Sequence, residues 1–183
     1  LQIFEQRYLD LVAHCMRESE GFGVVWLQQG SEVSGGSLDS PNVGEYGTYA
    51  RIVDWDQLPN GLLGITIEGH EPFDVRSVWR EPSGLVKAEV EWRDIPETMQ
   101  LPDHHASLAE VLEGLLRHPQ IQRLQLDSDL TDGWRVGAQL AQLLPIDEGL
   151  KYQLQGLTSV EQLLEEMDNI LVELSGESDQ TGR

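Results

Sequence analysis

Two hydrophobic rhythms divide this 183-residue chain. They constrain its fold more than any single motif. Over residues 22–103 the apolar residues come in short runs and alternations punctuated by turn residues, the period of β-strands. Over 104–175 they recur three and four apart, the period of helices sharing a core. Strands first and helices afterwards imply an α+β fold rather than an alternating α/β sheet. We expect a mostly antiparallel β-barrel or sandwich over 1–103 carrying one N-terminal helix, a helical bundle over 104–175, and a flexible polar tail over 176–183. A chain of this length buries about 70% of its unfolded surface, so neither disulfide nor metal is needed for stability.

The β segment can be parsed turn by turn. Phe22 to Leu27 is a short apolar strand, and Ser31 to Asn42, rich in Gly, Ser, Asp and Pro, is a surface loop. Thr48 to Trp55 alternates, with Tyr49, Arg51, Val53 and Trp55 on one face and Ala50, Ile52 and Asp54 on the other. Leu58-Pro59-Asn60-Gly61 turns the chain, since Asn-Gly between apolar runs is the strongest short hairpin signal. Leu62 to Glu68 follows as a strand. Gly69 breaks it as a bulge, Phe73 to Trp79 resumes, Glu81 to Gly84 turns, and Leu85 to Trp92 returns. Ahead of all this, Phe4, Tyr8, Leu11, Val12 and Cys15 share a helical face. Glu5 and Asp10 suit the positive end of that helix and Arg17 its negative end, with Gly21 and Gly23 as the stop. Glu5 and Arg7 are placed to form a partly buried ion pair at the helix entry.

In the helical segment, Ser107-Leu108-Ala109-Glu110 has the form of a capping box, and Pro119 ends the helix it opens. Asp132 caps a second helix that stops at Pro145, and Asp147 caps a short one through Leu154. Thr158-Ser159-Val160-Glu161 opens the most regular helix, with Val160, Leu163, Leu164, Met167, Ile170, Leu171 and Leu174 on one face. The connector between the halves lies near Met99 to His105, bracketed by Pro96 and Pro102.

Charge narrows the function classes. Acidic residues number 32 and basic ones 12, a net of −20. The excess is spread, with −11 over residues 1–103 and −9 over 104–183. Such a surface repels phosphate backbones and anionic membranes, so nucleic acid and membrane are not expected partners. No apolar stretch approaches a membrane span. The lone Cys15 excludes an intrachain disulfide, fits a reducing, cytoplasmic compartment, and on an apolar helix face reads as an inert buried thiol.

Catalytic patterns are missing from the sequence. There is no Gly-x-x-x-x-Gly-Lys-Ser/Thr loop, no Gly-x-Ser-x-Gly elbow, and no second ligand pair to accompany His104-His105, which reads as a capping and linker element. No catalytic residue, cofactor or metal is expected. Trp26, Trp55, Trp79 and Trp92 fall in the β half, and Trp134 at a helix start. They would fill the core or rim, or else form an exposed apolar patch of the kind that binds partners.

The ordered set Ile3-Phe4-Glu5-x-Arg7-Tyr8, Gly44-x-x-Gly47-x-x-Ala50-Arg51-Ile52, Pro59-Asn60-Gly61-x-Leu63, Gly69-x-x-x-Phe73 and Leu85-x-Lys87-Ala88-Glu89-Val90 resembles the N-terminal substrate-binding domain of Lon proteases, here in stand-alone form. The resemblance covers roughly residues 1–94 and implies a PUA-like β-barrel followed by a helical bundle. Pro72 stands where the family usually has Arg, and an apolar strand that usually precedes the Phe-Glu-x-Arg-Tyr run lies outside this sequence, so we expect a truncated or processed product. The ATPase and Ser-Lys protease modules of full-length Lon are not in it.

The function expected is a non-catalytic polypeptide-binding module. It would hold apolar or basic segments of a client, or of a partner protease or chaperone, as a monomer or weak homodimer. Trp26, Tyr49, Trp55 and Trp79 are the candidate contacts, and Phe4, Glu5, Arg7, Tyr8, Gly44, Gly47 and Gly61 the fold-critical set. Two other classes stay open: a PUA-like RNA-binding module, opposed by the charge, and a small enzyme with an unrecognised pocket.

Overall fold

A computed structural model describes residues 1–29 and 42–180. The chain forms two compact units, Leu1–Ile95 and Pro96–Arg183. The division falls at Ile95 rather than at residue 103 because the intervening stretch is tied into the second unit. Gln100 bridges Asp132, Leu101 N–H donates to the Thr131 carbonyl, and Gly133 N–H donates to the Met99 carbonyl.

The first unit holds β1 (Gln2–Ile3), α1 (Gln6–Glu18), β2 (Phe22–Gln29), β3 (Asn42–Gln57), β4 (Leu63–Arg80) and β5 (Val86–Trp92). All pairings are antiparallel, in the order β1-β4-β3-β2, with β5 also on β4. The Asn-Gly hairpin joins β3 to β4, with Gly61 at φ +81° and its N–H donating to the Leu58 carbonyl. Gly84, at φ +84°, completes the turn from β4 into β5. The loop expected over 31–42 lies outside the described residues, except that Asn42 already belongs to β3.

Three differences from the sequence reading have physical causes. First, the runs on either side of Gly69 are one strand, β4. Gly69 does not end it, because His70 and Glu71 together oppose Tyr49, and a bulge absorbs the extra residue. Second, α1 is stopped by Ser19, left-handed at φ +58°, with Glu20 N–H donating to the Cys15 carbonyl. Gly21 and Gly23 serve sheet packing instead. A Cβ on Gly21 would sit 2.2 Å from the Ala50 carbonyl oxygen, and one on Gly23 2.9 Å from Phe73 Cζ. A left-handed serine costs roughly 1 kcal/mol relative to glycine. We therefore expect Ser19→Gly to raise the thermal midpoint slightly, by a few degrees at most. Third, Phe4 precedes α1 and is exposed, so only Val12 and Cys15 of the expected apolar face are buried.

The second unit holds α2 (Ala106–Leu116), α3 (Pro119–Gln122), α4 (Gly133–Leu143), α5 (Glu148–Gln155) and α6 (Val160–Gln180). Leu108, Leu112, Val136, Leu140, Leu163, Leu164 and Met167 form its fully buried centre. Gly137 allows α4 to approach α6 closely, since a Cβ there would lie 2.8 Å from Leu163 side-chain carbons. Asp132 and Asp147 cap α4 and α5 as expected, accepting from Trp134 N–H and Gly149 N–H. Ser107 is not a cap: α2 begins at Ala106 with His105 at the N-cap position. Pro119 opens α3 rather than closing α2, which suits a residue without an N–H to donate. Helix α6 continues to Gln180, through the stretch expected to fray.

Candidate functional site

The best-organised polar group of the first unit is the entry to α1. Arg7 Nε donates to Glu5 Oε2 at 2.9 Å and Nη2 to Glu5 Oε1 at 3.3 Å, while Nη1 donates to the Gly84 carbonyl at 2.8 Å. The Arg7 side chain is 4% exposed and that of Glu5 22%. The guanidinium lies 4.6 Å from the centre of the Tyr8 ring. The Glu-x-Arg-Tyr run therefore ties the start of the helix to the β4–β5 turn.

The next layer is aromatic. Phe73 is buried, and Gly23 and Gly47 leave room for its ring. Trp92 meets Phe73 and Tyr49 edge-on, with ring centres 6.0 and 5.7 Å apart. The Tyr49 hydroxyl accepts from Gly21 N–H at 2.6 Å, so this ring is committed to holding α1's exit against β3. Gly44 and Gly47 are buried in β3.

Trp26 on β2, Trp55 on β3 and Trp79 on β4 are 40%, 59% and 45% exposed. None of the four β-unit tryptophans belongs to the buried core, Trp92 included. Trp134 of the second unit packs, partly buried, against the helical core. Trp55 borders a shallow groove of about 360 Å³ that Leu1, Leu58 and Ile65 also line, together with Asp54 and Asp56. Leu58, Asp54 and Asp56 are not among the contacts expected from the sequence. The Asp-Trp-Asp run just before the Asn-Gly turn is the signal that points to them.

Among the described residues no group of three or more His, Cys, Asp and Glu side chains is arranged to hold a metal ion, and no helix is long and apolar enough to cross a membrane. In the second unit His105 is buried with Nδ1 2.5 Å from Asp168 Oδ2, a tie between the turn before α2 and helix α6. Burial, and secondarily the Glu20 charge, push the Cys15 thiol above its ordinary range. The folded pKa lies above the unfolded one, so the neutral thiol favours the fold below the unfolded pKa, and that contribution is lost as pH rises through the folded pKa. We expect native protein at neutral pH to react with a disulfide reagent at least ~100-fold more slowly than denatured protein, because thiolate and access are both lacking. Equal rates would contradict the buried placement.

Comparison with known proteins decides the family. The model of the ATP-dependent protease La (LON) substrate-binding domain matches residues 1–173. The chain belongs to the LON substrate-binding domain family. A crystal structure of a Lon N-terminal domain protein from Xanthomonas campestris is 33% identical, with a TM-score of 0.73 over 91% of this chain and 85% of that one. The N-terminal domain of a Mycobacterium avium complex Lon protease shares the fold at 13% identity, with a TM-score of 0.56 over 92% of this chain and 86% of that one. No curated protein matches the sequence. The α+β architecture of a LON substrate-binding domain, a mostly antiparallel sheet followed by helices, is thus the architecture of this chain.

Proposed function

We propose that this LON substrate-binding domain is a non-catalytic module that holds polypeptide segments in a reducing, cytoplasmic setting. The observation that carries the reading is the exposure of Trp26, Trp55 and Trp79 on three strands of one unit. Large aromatic side chains contribute to stability when buried and attract partners when they are not, so tryptophans left this exposed mark points of contact. The family description, substrate-binding, agrees with that reading. The net charge of −20 turns it toward basic or neutral segments and away from RNA.

Calorimetric titration with a permanently unfolded, lysine-rich model polypeptide tests the proposal. We expect binding with Kd on the order of 1–100 μM, typical of a small apolar surface, without cleavage of the polypeptide or nucleotide turnover. The folded form of the same polypeptide should bind at least ~10-fold more weakly. Absence of heat with either form, or turnover of the polypeptide, would overturn the reading.

A further inference from the structure

We infer that Asp54 and Asp56 guard the outer edge of β3. Their carboxylates occupy the main-chain donors that face outward there, and their charges oppose pairing, so the hairpin does not zip edge to edge with a second copy of this chain.

The last residue of β3 paired with β2 is Ala50, opposite Phe22. Over 51–57 the strand has β4 on one side, and among the described residues no strand pairs its other side. Every residue over 53–57 is exposed, with Val53 at 53% and Trp55 at 59%. A β-branched and an aromatic residue in water on such an edge favour the addition of another strand.

The outward donors can be named. Leu58 N–H donates across the hairpin to the Leu62 carbonyl. Main-chain N–H groups alternate sides along a strand, so those of Asp56 and Asp54 also face β4, and those of Gln57 and Trp55 face away from it. These two are the ones already taken. Trp55 N–H donates to Asp54 Oδ1 at 2.9 Å, and Gln57 N–H to Asp56 Oδ1 at 2.7 Å. An antiparallel strand arriving here must exchange N–H and C=O with alternate residues, and would have to displace a carboxylate at each. Charge acts in the same direction. Two copies paired about Trp55 would set Asp54 of each opposite Asp56 of the other, and like charges directly opposite destabilise a ladder. The Asp-x-Asp spacing thus matches the two-residue period of the edge it protects.

Sedimentation velocity over a concentration series tests this with wild type and two double variants of the whole chain. Asp54→Ala with Asp56→Ala removes caps and charges together. Asp54→Asn with Asp56→Asn removes the charges and keeps both acceptors. We expect the alanine pair to associate at a concentration at least ~10-fold lower than wild type, with the asparagine pair between them. Residue-resolved hydrogen exchange locates the contact. In the dilute alanine pair the Trp55 and Gln57 amides should exchange faster than in wild type, and they should slow as the concentration is raised. Circular dichroism checks that the exposed substitutions keep the fold. If the alanine pair is not folded, the asparagine pair decides, since it too must associate more readily than wild type with its contact at Trp55 and Gln57. Association no stronger than wild type overturns the inference. So does association whose slowed amides lie outside 51–57, because another surface would then join the copies.

Discussion

Replacing Arg7 with alanine is expected to lower the stability of the β unit by on the order of 3–5 kcal/mol, because it strands a partner of a buried ion pair. Glu5 would keep its charge with the guanidinium gone, and the Gly84 carbonyl would lose a donor. Few surface charges would matter this much. Arg117 with Glu113, both well exposed, is worth a few tenths of a kcal/mol by comparison. Arg7→Lys should recover only part of the loss, since one ammonium cannot serve both Glu5 oxygens and the Gly84 carbonyl with the same geometry. Urea denaturation of wild type, Arg7→Ala and Arg7→Lys checks the order. An unchanged midpoint for Arg7→Ala would refute a structural role for the pair.

Gly47→Ala is expected to be at least as damaging, by a different route. The added Cβ would fall 2.4 Å from the Val24 carbonyl oxygen, 2.8 Å from Val25 Cγ2 and 2.9 Å from Phe73 Cζ. Phe73 is buried and the Val24 carbonyl belongs to the neighbouring strand, so neither can yield without opening β2 from β3. Overpacking a core typically costs 1–3 kcal/mol, and we expect ~3 kcal/mol or more where backbone has to move. Gly114→Ala is the matched control: its Cβ meets nothing, and alanine is the better helix former by up to ~1 kcal/mol. Soluble yield and denaturant midpoint should therefore fall for Gly47→Ala and hold or rise for Gly114→Ala. Equal behaviour would show that Gly47 is not packed as described.

What the sequence reveals and conceals follows from the range of each interaction. Asn60-Gly61, Asp132 and Asp147 act on atoms within four residues, and the turn and both caps stand where the sequence places them. Ser107 has equally local credentials, yet α2 starts one residue earlier, and its N-cap histidine is tied to Asp168 on α6, 63 residues away. Gly21 and Gly23 invite the same error. Their use is to pass close to Ala50 and Phe73, which are distant in sequence.

The tryptophan surface is hidden for a further reason. The alternation from Thr48 to Trp55 assigns Val53 and Trp55 to one face, but the register shifts between Ile52 and Asp54. Composition names the tryptophans, and only the fold shows that the alternation lapses before Trp55, since every residue from Val53 to Gln57 is exposed.

The central claim is that the β unit holds polypeptide through its exposed aromatic surface. Hydrogen exchange of the whole chain, with and without a saturating unfolded lysine-rich polypeptide, tests it most directly. The account predicts slowed exchange in the strands that carry the exposed tryptophans, β2, β3 and β4, with little change in α2–α6. Slowing confined to 96–180, or no slowing at all under conditions where binding is saturated, would contradict it.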